Sequence, residues 1–132
     1  MTIDGTHEET FEEGLRVRKQ VLGADHVDRS MANISDFSTR IQQLVTEYCW
    51  GTVWSSDGLE RKTRSLINIA MLTALNRNHE LAVHVRGALN NGATTREIQE
   101  VLIQTAIYAG VPAALESFRV AEQIVNEADA HA

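Results

Sequence analysis

The fold is decided by the stretch Ser65-Leu66-Ile67-Asn68-Ile69-Ala70-Met71-Leu72-Thr73-Ala74-Leu75. Its apolar residues recur with the 3.6-residue period of an α-helix, and they cover nearly every face of that helix. A helix that is apolar nearly all round is usually buried. We therefore predict an all-α protein, a compact bundle of about six helices, with this segment as its buried centre.

Capping residues on both sides of this segment delimit the other helices. Asp57 and Glu60 have the spacing of a capping box and are expected to open the central helix, and Thr94 with Glu97 forms a second such pair. Short connections between helices are typical of a bundle. The six helices are expected at about residues 6–22, 36–51, 57–75, 78–90, 94–110 and 112–127.

Other breaks in the pattern mark helix ends and the segments between helices. Gly92 stands at a left-handed C-cap position after the fourth helix. Pro112 stands in the first turn of the last helix, where proline is well tolerated. Residues 25–33 are expected to form a connector, and residues 53–58 a loop.

Composition bounds the class of protein. The chain has 132 residues, of which 43% are apolar and 23% charged, so we expect residues 1–132 to form a single domain. The formal net charge of −6 counts against nucleic-acid binding, because phosphate recognition needs a basic surface. No apolar run approaches the roughly 20 residues that span a bilayer, and the acidic amino terminus is unlike a secretory signal. We expect a cytoplasmic protein that binds neither nucleic acid nor membrane.

A chain of this size has little interior in which to bury its apolar residues. Trp50, Val53 and Trp54 lie in or beside the expected loop, and the third and fifth helices are apolar on more than one face. Exposed apolar patches usually mark association sites. The sequence therefore favours a homo-oligomer, and the alternative is that the tryptophans fold back onto the chain's own core.

The fourth helix carries the richest group of reactive side chains. Glu80 and His84 are four residues apart and therefore share one helical face. Because His84 borders the apolar stripe, its charge can be tuned near neutral pH, and Glu80 could orient the ring. Arg86 lies about 200° round the helix from His84, so the two do not face one pocket on a single helix surface. The alternative is a structural histidine satisfied by Glu80, with Arg86 in a surface ion pair.

A second candidate group lies at the end of the second helix. Glu47 is close in sequence to Trp50 and Trp54, and a carboxyl group against aromatic surface can act as an acid or a base. The alternative is a solvated charge at a helix end. In the basic run of Arg61, Lys62 and Arg64, one side chain could reach a substrate carboxylate, with arginine favoured for its two parallel hydrogen bonds, although most such runs are solvated faces.

Metal ligation and nucleophilic catalysis have less support. His79 and His84 are five residues apart, which is off the spacing of a helical ligand pair, so no metal site is expected. Cys49 is the only cysteine in the sequence, and it cannot form an intramolecular disulfide or a CxxC pair. We expect it to be a small buried hydrophobe.

Several blocks of the sequence together resemble the carboxymuconolactone decarboxylase family. The resemblance covers about residues 11–125, and the blocks follow one another at family-like spacing. They are 21–30 (VLGADHVDRS), 46–54 (TEYCWGTVW), 61–66 (RKTRSL), 80–86 (ELAVHVR) with 90–92 (NNG), and 106–114 (AIYAGVPAA).

The resemblance implies the all-helical fold shared with alkylhydroperoxidase D proteins, and a hexamer assembled as a trimer of dimers. It implies decarboxylation of 4-carboxymuconolactone, a small anionic lactone, to 3-oxoadipate enol-lactone and carbon dioxide. This reaction belongs to the breakdown of protocatechuate through the β-ketoadipate route. The substrate contains its own electron sink, so neither an organic cofactor nor a metal is expected.

The reaction that the resemblance implies suggests roles for the candidate residues. Arg86 and Arg64 would hold carboxylates, and His84 would donate to the developing oxyanion or deliver the proton. Glu47 or Glu80 would orient His84 or share the proton transfer. Three aromatic residues would wall the site from water: Trp50, Trp54 and Tyr108.

Redox members of the same superfamily carry a CxxC pair followed by a histidine. Counted back from His84, those cysteine positions fall on Arg77 and Glu80, so the redox pair is missing here. This favours the decarboxylase branch, with a peroxidase or peroxiredoxin-type activity of Cys49 as one alternative. A non-enzymatic helical oligomerisation module is another. At 115–116 the family's pattern is more polar, which leaves a related lactone acid open as the substrate.

Overall fold

The computed structural model describes residues 6–131 of the chain, and every regular element in them is helical. The elements are α1 (His7–Leu22), α2 (Ala24–Ala32), α3 (Thr39–Leu44), a π-helical segment (Val45–Trp54), α4 (Arg61–Ala74), α5 (Asn78–Asn90), α6 (Thr95–Ala109) and α7 (Val111–Ala130). The predicted all-α class is confirmed, with seven α-helices in the described residues where about six were expected. The chain divides into two units, Met1–Glu60 and Arg61–Ala132.

In the N-terminal unit, α1 and the π-helical segment meet at two glycines. A Cβ atom on Gly14 would lie 2.8 Å from the backbone nitrogen of Gly51, and closer still to the carbonyl oxygen of Thr46. A Cβ atom on Gly51 would collide in turn with the backbone carbonyl of Thr10. Glycine at both positions therefore lets two helical backbones touch. This contact sets the position of the segment that carries several candidate site residues.

Two predictions for this unit are wrong. Residues 25–33, expected to form a connector, contain the helix α2, in which Val27 is fully buried. The second helix, expected as one element over 36–51, is divided, because α3 ends at Leu44 and π-helical hydrogen bonding continues to Trp54. A π-helix bonds each residue to the fifth one along and is rare. Here it covers the stretch that packs against α1.

The tryptophans are buried within the chain. The expected loop at 53–58 starts later than predicted, because the π-helical segment includes Trp54. Trp50 and Trp54 are both buried, and their rings stack with centroids 4.9 Å apart. The expectation that they stay exposed for association is wrong, and the alternative, burial in the chain's own interior, is confirmed.

In the C-terminal unit, four helices enclose one apolar core. α4 packs against α5, α6 and α7, while α7 also packs against α5 and α6. The core consists of buried aliphatic side chains from these helices and the α5–α6 connection: Ile69, Leu81, Val85, Ala88, Ala93, Ile98, Leu102, Ala121 and Ile124. The buried side of α5 therefore faces this core.

Most of the predicted helix ends in this unit are confirmed. α5 spans Asn78–Asn90, and Gly92 has the positive φ of 90° that a left-handed position requires. The Thr94 hydroxyl accepts a hydrogen bond from the backbone N–H of Glu97, whose carboxylate accepts one from the backbone N–H of Thr94. This is the predicted capping box. Pro112 lies in the first turn of α7, as expected.

The start of the central helix was predicted wrongly. α4 begins at Arg61, so Glu60 precedes the helix and cannot complete a capping box with Asp57. The Ser56 hydroxyl instead accepts a hydrogen bond from the backbone N–H of Gly58 at 3.2 Å. A side-chain-supported turn therefore occupies the stretch where helix was expected.

The central helix α4 is buried on one face. Ser65, Ile69 and Thr73 are buried, whereas Met71 is 49% exposed and Leu75, just after the helix end, is 61% exposed. The prediction of burial on nearly every face is therefore wrong for the single chain, because the helices packed on α4 leave the side that carries Met71 open. Among residues 6–131, none of the helices combines the length and apolar character that a membrane crossing requires.

Candidate active site

His84 lies on the buried side of α5. It is 8% exposed, and its neighbours on that face, Leu81, Val85 and Ala88, belong to the apolar core. This placement follows from helical spacing, since residues three and four apart share a face. An imidazole in such surroundings interacts strongly with a charge that develops beside it, because the local dielectric constant is low.

Asn68 of α4 contacts the imidazole ring. Its Nδ2 atom lies 3.3 Å from Nδ1 of His84. Asn68 was not among the predicted site residues. The signal that could have found it is an amide side chain inside an otherwise apolar helical stretch, because a buried polar group needs a hydrogen-bond partner. The structure thus identifies an amide as a partner of His84, where Glu80 was expected.

A second hydrogen bond extends this contact along the same two helices. Asn91 Nδ2 donates to the Ser65 hydroxyl at 2.9 Å, and Ser65 is fully buried. Ser65 and Asn68 are three residues apart on α4, and His84 and Asn91 are seven apart on α5, so each pair lies on one helical face. We refer to these four residues as the α4–α5 polar seam. The two hydrogen bonds fix how the helices align, and with them the place of the ring.

Glu80 and Arg86 lie on exposed parts of α5. Arg86 Nη2 donates to Oε2 of Glu127 on α7 at 3.3 Å, and both side chains of this pair are about half exposed. The expectation that Arg86 and His84 face different directions is consistent with this arrangement. The alternative, in which Arg86 forms a surface ion pair, is confirmed. The role of Arg86 toward a substrate stays a prediction.

Arg64 and Tyr108 occupy different parts of the C-terminal unit. Arg64 is half-buried on α4, four residues before Asn68 and therefore on the same face. Tyr108 is 84% exposed near the end of α6. It lines an open apolar groove of about 470 Å³ along α4 and α6, together with side chains such as Ile67 and Met71. The structure thus puts Arg64 on the face of the polar seam and Tyr108 on the open groove.

In the N-terminal unit, Glu47, Trp50 and Trp54 lie along the π-helical segment. The Glu47 side chain is 19% exposed, and its Oε2 atom lies 3.3 Å from Nδ1 of His7. His7 was not among the predicted site residues, because no spacing rule links positions 40 residues apart. A carboxylate mostly withdrawn from water and in contact with an imidazole is a fitting acid or base.

Cys49 is half-buried on the same segment. Burial raises the pKa of its thiol, and the guanidinium of Arg18 lowers it by a smaller amount. The thiol therefore stays protonated at neutral pH, and it is the thiolate that reacts with peroxides and disulfides. This counts against the redox alternative.

Arg18 is a buried cation that was not predicted. It donates from Nη1 to Oε1 of Gln42 at 3.2 Å and to the hydroxyl of Thr46 at 3.5 Å. These bonds tie α1 to α3 and to the π-helical segment. Arg18 lies between Val17 and Val21 on the buried stripe of α1. A charged residue within that apolar stripe is the sequence pattern that could have identified it.

The polar groups of each unit suit chemistry that handles protons and negative charge. The C-terminal unit holds an imidazole supported by an amide, and the N-terminal unit holds a largely buried carboxylate. In the part of the chain that the structure describes, no group of three His, Cys, Asp or Glu side chains is arranged to hold a metal ion. Hydrogen-bond donors in a low-dielectric site stabilise negative charge on a bound ligand far better than donors in water do.

Comparison with known proteins gives consistent matches. The family model described as "Carboxymuconolactone decarboxylase family" matches residues 39–123. The chain is 42% identical over 120 residues to a 4-carboxymuconolactone decarboxylase of Acinetobacter baylyi, which covers 91% of this chain and 90% of the relative. It is 40% identical over 126 residues to the nitrosuccinic acid decarboxylase npaB of Metarhizium robertsii, which covers 96% of this chain and 88% of the relative.

Proposed function

The chain belongs to the carboxymuconolactone decarboxylase family and is a carboxy-lyase, and from this premise we propose that its substrate is 4-carboxymuconolactone. The products are 3-oxoadipate enol-lactone and carbon dioxide, in the protocatechuate branch of β-ketoadipate catabolism. The observation that carries the proposal is the 42% identity to a 4-carboxymuconolactone decarboxylase across 91% of the chain.

The proposed substrate activates itself. Its leaving carboxylate is on the carbon that bears the lactone oxygen, and a ring double bond conjugates that carbon with the lactone carbonyl. When the bond to the carboxylate breaks, carbon dioxide leaves and the electron pair moves to the carbonyl oxygen as a dienolate. A proton then adds to the carbon next to the carbonyl. An electron sink within the substrate does the work that an organic cofactor does in other decarboxylases.

In this proposal His84 donates a hydrogen bond to the dienolate oxygen. Its burial supports the assignment, since a donor in apolar surroundings is worth more than one in water. Arg64 and Arg86 bind the carboxylates of the substrate, and Arg86 exchanges its contact with Glu127 for the ligand. Glu47 serves as the acid or base.

The remaining predicted residues have supporting roles in this proposal. Glu80 assists proton transfer from the start of α5. Trp50, Trp54 and Tyr108 exclude water, which strengthens the electrostatic interactions in the site. The stacked, buried pair of tryptophans supports this role more directly than the exposed Tyr108.

Nitrosuccinic acid is the second candidate substrate, favoured by 40% identity over 96% of the chain to an enzyme named for it. The chemistry of the two acids is related. In each, the carbon that loses carbon dioxide also carries a carboxymethyl group and is joined to an electron acceptor, the unsaturated lactone or the nitro group. One site with an oxyanion donor and two carboxylate-binding cations serves both, and a related lactone acid fits the same description.

We propose further that the protein is cytoplasmic and works as a homo-oligomer, a hexamer built from dimers. Large apolar side chains exposed on the single chain support association. They include Phe37, Ile41, Leu44, Tyr48, Ile67, Met71, Ile103, Ile107, Tyr108 and Leu115. Three of them, Ile67, Met71 and Tyr108, line the groove along α4 and α6.

A direct assay distinguishes the candidates. The purified protein is given 4-carboxymuconolactone, made in place from protocatechuate, or nitrosuccinic acid, and carbon dioxide release is followed with each. Turnover of the lactone with a kcat/KM above that for nitrosuccinic acid supports the main proposal. Preference for nitrosuccinic acid selects the second candidate, and inactivity toward both contradicts the two of them.

A further inference from the structure

We infer that Asn68 is a positioning residue that selects one tautomer of His84, the form with its proton on Nε2. The catalytic part of this inference rests on the proposed function, because it gives His84 the task of stabilising negative charge while carbon dioxide leaves. The structural part, the identity of the protonated ring nitrogen, is measurable without any substrate.

The chemistry of the amide decides which ring nitrogen is protonated. Nδ2 of Asn68 lies 3.3 Å from Nδ1 of His84. An amide nitrogen carries two hydrogens and only donates, so Nδ1 of the imidazole accepts. A neutral imidazole has one N–H group, which therefore lies on Nε2.

The α4–α5 polar seam keeps this hydrogen bond in place. His84 and Ser65 are buried, and Asn68 is half-buried between helices that pack on a shared core. The hydrogen bond from Asn91 to Ser65 at 2.9 Å fixes the alignment of the same two helices. A polar group withdrawn from water is destabilising when it loses its hydrogen-bond partner, so the contact of the Asn68 amide with the ring is favoured.

The Nε2–H tautomer suits His84 to stabilising an oxyanion. As the bond to the leaving carboxylate breaks, the electron pair moves to the acceptor oxygen of the substrate, and Nε2–H donates a hydrogen bond to it. Transfer of that proton to carbon would leave an imidazolate, a strongly basic anion, so the neutral ring is a poor acid. The proton that ends on carbon therefore comes from water or a carboxylic acid. His84 acts as a donor throughout and not as a base.

Protein labelled with 15N-histidine tests the tautomer. A spectrum that correlates the ring nitrogens with the ring C–H protons distinguishes Nε2–H from Nδ1–H, and His84→Gln identifies the His84 signals among the five histidines. Under conditions where His84 is neutral, the wild-type ring should show a protonated Nε2 and a bare Nδ1. A neutral ring with its proton on Nδ1 overturns the inference.

Asn68→Asp replaces the hydrogen-bond donor that faces Nδ1 of His84 with an acceptor, with almost no change in side-chain size. A carboxylate only accepts, so a proton should appear on Nδ1 of His84 in this variant. Asn91→Asp is the matched control, because it makes the same change in the same seam, and the Ser65 hydroxyl can rotate to donate to the new carboxylate. The His84 signals should keep their wild-type pattern in the control. An unaltered tautomer in Asn68→Asp, or an equal alteration in Asn91→Asp, contradicts the inference.

Kinetics test the catalytic part. With a substrate that the wild type decarboxylates, Asn68→Asp should lower kcat by about a hundredfold, as expected for loss of one oxyanion donor, with a much smaller change in KM. Asn91→Asp should stay within a few-fold of the wild type. A swapped tautomer with wild-type kcat removes the catalytic role of Asn68. A wild type that shows the Nε2–H tautomer but decarboxylates nothing contradicts the proposed function and leaves the positioning of the ring intact.

Discussion

The backbone nitrogen of Gly51 lies 2.8 Å from the point that a Cβ atom on Gly14 would occupy. The neighbouring obstacle, the carbonyl oxygen of Thr46, is also backbone and cannot rotate away. We expect Gly14→Ala to destabilise the protein by about 3 kcal/mol or more, at the upper end of what overpacking costs. Urea unfolding monitored by circular dichroism measures this difference.

Gly92→Ala is the control for that change. Gly92 has a φ of 90°, and a Cβ atom there would meet nothing within 4 Å. Only backbone strain opposes the substitution, which should cost about 1–2 kcal/mol. If Gly14→Ala proves no more destabilising than Gly92→Ala, the close contact of α1 with the π-helical segment is wrong.

The capping box of α6 makes stability depend on pH. The backbone hydrogen bond from Thr94 and the ion pair with Lys62 hold the pKa of Glu97 below its ordinary value of 4.5. Ionised Glu97 therefore stabilises the fold above that ordinary pKa, and the contribution is lost as pH falls through the lowered value. Glu97→Gln keeps a capping side chain and removes the charge. It should be less stable than the wild type at neutral pH and equal to it at strongly acidic pH, whereas a difference that is constant with pH contradicts the linkage.

The thiol of Cys49 should be unreactive. Burial raises its pKa more than Arg18 lowers it, so alkylation by iodoacetamide at neutral pH should be much slower than that of free cysteine. Cys49→Ser should keep decarboxylation within a few-fold of the wild type. Thiol-dependent peroxide consumption that disappears in Cys49→Ser would instead support the redox alternative.

Exposed apolar side chains carry the proposal of a homo-oligomer. Phe37 on the N-terminal unit is 99% exposed, and Ile107 on α6 is 76% exposed. An aspartate at either position would bury an unpaired charge in an interface, at a cost of about 3 kcal/mol or more, which weakens association at least about a hundredfold. Light scattering coupled to size exclusion should show smaller species for Phe37→Asp or Ile107→Asp, and an unchanged species for the exposed control Gln123→Asp. A monomeric wild type contradicts the proposal.

Local signals were sufficient for much of the helical architecture. The capping box at Thr94, the left-handed Gly92 and the bounds of α5 are set by neighbours within a few residues, and such signals are readable in sequence. The π-helical segment was not predicted, and it packs against α1 at Gly14 and Gly51, which are far apart along the chain. The one-sided burial of α4 depends on which helices pack against it, and an apolar sequence pattern alone does not predict those neighbours.

The candidate site also has features that local sequence predicts and features that only the tertiary structure reveals. The burial of His84 follows from its place on an apolar helical stripe, and its position relative to Arg86 follows from helical geometry. The contacts of His84 with Asn68 and of Glu47 with His7 join separate helices, so no spacing rule reveals them. The roles of Arg64, Glu80 and Tyr108 toward a substrate stay predictions.

The most direct test of the whole account is the turnover of 4-carboxymuconolactone by the wild type and by His84→Ala, with the size and helical content of both confirmed. We expect the substitution to reduce kcat by about a hundredfold or more in a protein that keeps its assembly. Near-wild-type turnover by a correctly assembled His84→Ala would remove the imidazole from the chemistry and contradict the account.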